Sequence, residues 1–198
     1  MNKDYKNIIV ATGGTGGHIF PAVSLANYLN KNGYNTTLTT DNRGLKFIDK
    51  KIYQKKVLIN SSPIKKNKKF IAFFIVLSAI FKSIFFLIKA KPKFIFGMGG
   101  YASFPICCAA VILKIPFIIY ENNLFMGKAN RYLSPFAKKI FVSYRDIQGI
   151  NKKYKNKIVI VGNILRENII NNSIINKNNE DSVLNLLILG GSQAAKIF

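Results

Sequence analysis

Short apolar runs alternate along the chain with longer stretches in which apolar residues recur at helical spacing. The short runs are rich in β-branched and aromatic residues, which predicts strands; they begin at Ile8 and then cover 36–40, 56–59, 94–96, 117–120, 139–142 and 158–161. The longer stretches predict helices over 22–31, 70–90, 104–113 and 127–133. Strands alternating with helices predict an α/β fold with a doubly wound, Rossmann-like parallel sheet, whose ligands bind at the carboxyl ends of the strands.

Four glycines follow the first predicted strand within five residues: Gly13, Gly14, Gly16 and Gly17. Pro21 suits the first turn of the next helix, so the glycines are expected between a strand end and a helix start. Free backbone N–H groups and the helix dipole favour a bound phosphate there. Neither the P-loop nor the dinucleotide pattern fits, and a purely structural tight turn is the alternative.

Two further constellations follow later strands. A second glycine turn contains Gly99, Gly100 and Tyr101, and at the same sheet edge as the first turn it could help to hold a diphosphate, or it could be structural. At the end of the next strand, Glu121 could orient a sugar hydroxyl or a basic neighbour, or offset local lysines. The amide of Asn123 suits hydrogen bonding to a sugar or a base.

The segment 70–90 is almost wholly apolar, and eighteen helical residues would span roughly 27 Å, close to the thickness of a bilayer core. Lys82 lies inside it, and lysines flank both ends. These charges favour a helix that lies in the membrane interface. A transmembrane span and an ordinary buried helix are the alternatives.

The chain carries a formal net charge of +22, with 30 Lys and Arg against 8 Asp and Glu. Such a charge attracts polyanions. Only four basic residues are arginine and no nucleic-acid-binding motif occurs, so nucleic acid is not an expected partner. An anionic membrane surface and phosphorylated substrates are the expected partners.

The adjacent Cys107 and Cys108 lack metal-ligand spacing and are expected in the core. No signal peptide is seen, which predicts a cytoplasmic compartment.

The chain is expected to divide into three parts. Residues 1–168 form the main Rossmann-like domain, and 169–182, polar and rich in asparagine, form a linker. Residues 183–198 read as the first strand and glycine turn of a second domain.

Five strings occur in a fixed order: GGTGGHIFPA, GMGGYASFP, ENN, VGNILR and GGSQAA. Together they resemble the bacterial N-acetylglucosaminyltransferases of peptidoglycan synthesis, which have two Rossmann-like domains of the GT-B type. The resemblance covers essentially the whole chain but only the amino-terminal, acceptor-side half of that architecture and the opening of the donor domain. Departures are small: ENN stands where the family commonly has EQN, Ile164 where it has proline, and Ala194 where it has glycine.

The resemblance implies roles for particular residues. His18 would act as the catalytic base or orient the acceptor. The glycine turns, with Gly13, Gly14, Gly99, Gly100 and Tyr101, would hold the acceptor diphosphate. Contacts to the substrates would come from Thr15, Gly16, Gly17, Asn123, Arg166 and Ser192. No metal and no cofactor are expected.

The resemblance also implies a reaction and its partners. N-acetylglucosamine would pass from UDP-N-acetylglucosamine to undecaprenyl-diphosphate-linked muramyl pentapeptide, with inversion, at the cytoplasmic side of the cell membrane by a peripheral protein. The uridine-binding elements of the family lie in the second domain, so these 198 residues alone are expected to be inactive. A membrane-docked acceptor subunit that recruits a separate donor domain, and an inactive gene fragment, are the alternatives.

Overall fold

The computed structural model describes residues 7–48, 55–59, 61 and 69–171. The chain divides into two compact units, 1–166 and 167–198. The described part of the second unit is one short helix, α6 (Glu167–Asn171). The sheet and the other helices belong to the first unit.

A seven-stranded parallel sheet forms the centre of the first unit. Its strands are β1 (Asn7–Ala11), β2 (Asn35–Thr40), β3 (Lys56–Leu58), β4 (Phe94–Gly97), β5 (Phe117–Glu121), β6 (Lys139–Val142) and β7 (Ile158–Ile160). Their spatial order is β3-β2-β1-β4-β5-β6-β7. The strand order reverses between β1 and β4, which is the switch point where open α/β sheets bind ligands. The predicted α/β fold with a parallel sheet is confirmed.

Helices cover both faces of the sheet, together with a 3₁₀ helix at Lys152–Lys157. They are α1 (Gly16–Lys31), α2 (Asn42–Leu45), α3 (Lys69–Ala90), α4 (Ser103–Ile112) and α5 (Lys128–Leu133). Neighbouring residues of β1 point to opposite faces, as strand geometry requires. Ile9 packs in the core cluster that includes α4 residues, and Val10 packs in the cluster that includes α1 residues. The central strands are thus buried on both faces, which explains their continuous apolar runs.

Helix α1 begins at Gly16, six residues before the predicted start. The expectation that Pro21 lies in the first helical turn is therefore wrong. Pro21 is the sixth residue of the helix, where its missing N–H leaves the carbonyl of Gly17, four residues earlier, without a helical partner. The two glycines at the helix start extend its first turn to the carboxyl edge of the sheet.

Helix α3 is packed on one face and open on the other. Its small side chains Ala72, Ala79 and Ser83 are buried, as is Leu87, while α3 packs beside α4. The opposite face exposes Phe70, Phe74 and other large apolar side chains. By length and composition, Phe70–Ala90 could cross a membrane, with a mean hydropathy of 2.6 and 22% of its most apolar window buried in the protein.

Candidate functional site

A cavity of about 170 Å³ lies at the carboxyl edge of the sheet, beside the ends of β4 and β5. All three constellations singled out in the sequence contribute to it. Its lining residues are His18, Gly99, Gly100, Tyr101, Glu121, Asn123, Gly127, Lys128, Ala129 and Asn130. The start of α5, which sequence reasoning did not connect with the site, closes one side. The parallel sheet brings these segments together because consecutive strand ends meet at one edge.

The two glycine turns touch through their backbones. A Cβ atom on Gly100 would overlap the carbonyl of Gly13, and one on Gly13 would overlap the Cβ of Ala102. Gly100 also has a φ of +78°, a conformation that side chains disfavour. Gly13 and Gly100 thus let the turn after β1 and the turn after β4 approach closely, beside the cavity that Gly100 lines.

Asp41 fixes the first glycine turn, and sequence reasoning missed it. Its carboxylate, directly after β2, accepts hydrogen bonds from the N–H groups of Gly14 at 3.0 Å and Gly44 at 2.9 Å, and pairs with Arg43 at 2.7 Å. Burial by itself raises the pKa of Asp41, but these three partners outweigh it and the pKa lies below its ordinary value. The one sequence feature that could have indicated this role is the position of Asp41 directly after a predicted strand.

Only some of the backbone N–H groups of the first glycine turn are therefore available to a ligand. The N–H of Gly14 is bonded to Asp41. Gly16 and Gly17 belong to the first turn of α1, where N–H groups have no acceptor within the helix. Thr15 is the N-cap residue, and its side chain makes no capping hydrogen bond. The open donors of this turn thus lie at the amino end of α1, where the helix dipole favours an anion.

The imidazole of His18 lies against the second glycine turn. A Cβ on Gly99 would come within 2.8 Å of His18 Nδ1, so only glycine leaves room for the ring. Nδ1 is buried and has no hydrogen-bond partner among the described residues. Burial lowers the pKa of His18, while the Glu121 carboxylate and the backbone of Met98 oppose the shift. The imidazole is therefore neutral at neutral pH and able to accept a proton.

Glu121 is a buried carboxylate, 1% exposed, and among the described residues all its hydrogen bonds are accepted from amide N–H groups. It accepts from the backbone N–H of Asn123 at 3.1 Å and from the Asn123 side chain at 2.7 Å. It also accepts from the Gly127 N–H at 2.9 Å and the Asn130 side chain at 3.0 Å. Its structural role is thus to hold Asn123 and the start of α5 at the cavity, which none of the three interpretations of Glu121 anticipated.

The remaining candidate residues do not line the cavity. The guanidinium of Arg166 stacks on the ring of Phe20, 4.6 Å from its centroid, and is exposed. Thr15, Gly16 and Gly17 lie at the start of α1, next to His18. Gly13 and Gly14, at the start of the first glycine turn, are buried. The predicted Ser192 lies outside the described residues, as do the predicted linker beyond residue 171 and the second-domain segment.

Comparison with known proteins identifies the domain. The profile of the glycosyltransferase family 28 N-terminal domain matches residues 8–142, which contain both glycine turns and the cavity. The chain belongs to glycosyltransferase family 28. Within the part of the chain that the structure describes, no three His, Cys, Asp or Glu side chains converge as metal ligands would.

Curated relatives resemble the chain over almost its whole length. A Rickettsia canadensis protein is 41% identical over 98% of this chain, and a Pelagibacter ubique protein is 40% identical over 98%. Both bear the name UDP-N-acetylglucosamine–N-acetylmuramyl-(pentapeptide) pyrophosphoryl-undecaprenol N-acetylglucosamine transferase. The match covers 54% of each relative, so the chain spans about half the length of the curated relatives it matches.

A solved structure shares the fold. The crystal structure of Acinetobacter baumannii MurG superposes with a TM-score of 0.65 at 25% identity, covering 79% of this chain and 45% of that one. The similarity to known proteins thus extends from the sequence to the arrangement of the sheet and helices.

Proposed function

We propose that this domain is the acceptor-binding part of an enzyme that transfers N-acetylglucosamine from UDP-N-acetylglucosamine to undecaprenyl-diphosphate-linked muramyl pentapeptide. The observation that carries the proposal is the cavity in which His18, the second glycine turn and Asn123 meet. The names of the two relatives at about 40% identity supply the substrates. The proposed location is the cytoplasmic side of the cell membrane.

The proposed chemistry is a single displacement with inversion. The 4-hydroxyl of the muramyl sugar attacks the anomeric carbon of N-acetylglucosamine, the bond from that carbon to the diphosphate oxygen breaks, and UDP leaves with the electron pair. His18 accepts the hydroxyl proton, for which a neutral imidazole in contact with the cavity is suited. The nearby Glu121 carboxylate stabilises the imidazolium that forms.

The acceptor diphosphate is proposed to lie at the glycine turns. Backbone N–H groups at the start of α1, from Gly16 and Gly17, together with the helix dipole, suit an anion there. Gly99, Gly100 and Tyr101 line the nearby cavity, and the Asn123 amide, held by Glu121, hydrogen-bonds a sugar. Arg166 and Ser192 are proposed substrate contacts, and the donor itself is proposed to bind a second domain, in this polypeptide or in a separate one.

The proposed membrane contact is the exposed face of α3, which we call the α3 face. Its large apolar side chains are 37–84% exposed: Phe70, Ile71, Phe73, Phe74, Ile75, Leu77, Phe81, Phe85 and Ile88. Lys82 and Lys89 are exposed beside them, and their ammonium groups suit anionic headgroups. Peripheral docking is favoured over a span because the opposite side of α3, at Ala79 and Leu87, is already buried in the domain.

The direction of α3 supports the same arrangement. The helix connects β3 to β4, two strands of a parallel sheet, so it starts at the carboxyl edge and runs back toward the amino edge. Phe70 and Phe74 therefore lie toward the edge that carries the cavity. Docking through the α3 face would bring the cavity edge close to the membrane that holds the acceptor lipid.

A chimaeric enzyme tests the proposed activity. Residues 167–198 are replaced by the corresponding segment and carboxyl-terminal half of the Rickettsia canadensis relative, and transfer of labelled N-acetylglucosamine to a short-chain acceptor lipid analogue is measured. The 198-residue chain serves as the comparison and is expected to be inactive. We expect transfer by the chimaera; a folded chimaera that binds UDP-N-acetylglucosamine but transfers nothing would contradict the proposed function.

A further inference from the structure

The carbonyl of Gly17 is an acceptor that helix α1 cannot use. In a regular helix it would accept from the N–H of the residue four positions later, but that residue is Pro21, which has none. The side chain of Asn122 takes the place of the missing donor, with its Nδ2 2.8 Å from the Gly17 oxygen. Among the described residues this is the one hydrogen bond recorded for the Asn122 side chain. A residue far along the chain thus completes the first turn of α1.

The bond crosses the functional edge of the sheet. Asn122 directly follows β5, and Gly17 lies in the helix that follows β1, while β4 lies between those two strands. The Asn122 side chain therefore reaches over the end of β4, where the second glycine turn begins. The contact ties together the two chain segments that flank that turn.

His18 is the residue next to this bond. Its own carbonyl accepts a hydrogen bond at 3.0 Å from the hydroxyl of Thr12, a buried residue at the end of β1. Two consecutive carbonyls, those of Gly17 and His18, are thus held by side chains from two different strand ends. With the backbone held on both sides of its Cα atom, the imidazole stays against Gly99, where a Cβ would overlap it.

We propose that Asn122 is a positioning residue for His18, acting through the Gly17 carbonyl that Pro21 leaves free. The inference rests on the proposed function only in giving His18 a chemical role. The position of the imidazole can be read without any transfer assay, since His18 is the single histidine of the chain and its NMR signal needs no assignment. Failure of this inference and failure of the proposed function are therefore distinguishable.

The experiment follows the imidazole Hε1 resonance of the full chain during a pH titration in detergent. Wild type is compared with Asn122→Ala and with the double variant Pro21→Ala/Asn122→Ala. The matched control is Asn32→Ala, since the Asn32 amide also donates to a carbonyl of α1, that of Tyr28, at the same distance of 2.8 Å but at the far end of the helix. Thermal unfolding midpoints establish that each variant is folded.

In wild type the midpoint of the His18 titration is expected below the ordinary value of about 6.5. Asn122→Ala moves it upward toward that value because the ring loses its buried position, and Asn32→Ala leaves it unchanged. In the double variant the midpoint moves most of the way back to the wild-type value, since the alanine that replaces Pro21 supplies an N–H to the Gly17 carbonyl. An unchanged midpoint in Asn122→Ala, an equal shift in Asn32→Ala, or no recovery in the double variant would each overturn the inference.

Discussion

The Asp41 carboxylate accepts a hydrogen bond from the backbone N–H of Gly14 at 3.0 Å. A glycine-rich turn after the first strand therefore has one donor bonded to a protein carboxylate. Asp41 also pairs with Arg43, so the turn is fixed by a side chain that is itself held by a cation. The shape of the first glycine turn is thus set from β2, the neighbouring strand.

Substitution of Asp41 is expected to destabilise the fold. Asp41→Ala leaves the buried N–H groups of Gly14 and Gly44 without an acceptor, which costs roughly 2–4 kcal/mol in the free energy of unfolding. Asp41→Asn keeps an oxygen acceptor and loses the ion pair, so its cost is smaller. Urea unfolding at neutral pH measures both variants. Equal stability of wild type and Asp41→Ala would contradict the role assigned to this carboxylate.

The stability difference between wild type and Asp41→Asn is expected to depend on pH in a defined direction. The pKa of Asp41 in the folded protein lies below its ordinary value of about 3.9. Its contribution to stability is therefore complete above that value and is lost as pH falls through the folded pKa. The stability difference between wild type and Asp41→Asn should be constant above about pH 5 and shrink in more acidic solution.

Tyr120 anchors the segment that leads out of the first unit. Its hydroxyl lies 2.8 Å from Ser143 Oγ, donates to the Gly162 carbonyl at 3.2 Å and accepts from the Ile164 N–H at 3.3 Å. Tyr120→Phe should lower the free energy of unfolding by about 1–2 kcal/mol and speed amide hydrogen exchange at Ile164. Tyr132→Phe, at a side chain 70% exposed, is the control and should change neither. Unaltered exchange at Ile164 in Tyr120→Phe would argue against the anchor.

The positions of most elements follow from the sequence for a simple reason. The strands that flank the site, β1, β4 and β5, are buried on both faces, so their apolar runs are continuous and their bounds were predicted to within one or two residues. The two glycine turns were located because clusters of glycine followed directly after predicted strands and before predicted helices.

The parts that sequence reasoning missed depend on contacts between distant segments. The start of α1 was misplaced because Pro21 was assigned to a first turn, whereas Asn122, from the other side of β4, satisfies the carbonyl that Pro21 leaves open. Asp41 and Asn130 were missed because their partners, Gly14 and Glu121, become neighbours only in the folded sheet. Periodicity contains no information on such side-chain pairings.

Membrane binding through the α3 face is tested by co-sedimentation with vesicles. Phe81→Glu and Phe85→Glu place a charge at side chains that are 55% and 72% exposed on this face. Each should weaken binding to anionic vesicles about tenfold or more, since burial of one phenyl group is worth about 1.5–3 kcal/mol. Phe136→Glu, at a side chain 60% exposed outside α3, is the control.

The same assay separates docking from spanning. Binding should need anionic lipid and weaken as salt rises, because the contribution of the lysines is screened. Retention on neutral bilayers at high salt would indicate a transmembrane span instead.

The role of His18 as a base predicts the pH dependence of transfer by the chimaeric enzyme. A base acts when deprotonated, so the rate falls on the acid side as pH drops through the pKa of His18. Because burial lowers that pKa, the acid limb of kcat/KM should lie below about 6.5. His18→Ala should remove the limb and reduce the rate by about 10²–10⁴-fold. Retention of most activity in a folded His18→Ala enzyme would assign the side chain a structural role.

The proposed function depends above all on binding of the acceptor at the cavity lined by His18, the second glycine turn and Asn123. The most direct measurement titrates the 198-residue chain with a short-chain prenyl-diphosphate muramyl pentapeptide while following the single histidine resonance. UDP-N-acetylglucosamine is titrated in parallel. We expect a saturable shift of the His18 signal with the acceptor analogue and none with the donor. A His18 signal that does not shift with the acceptor analogue, or that shifts with the donor alone, would contradict acceptor binding at this cavity.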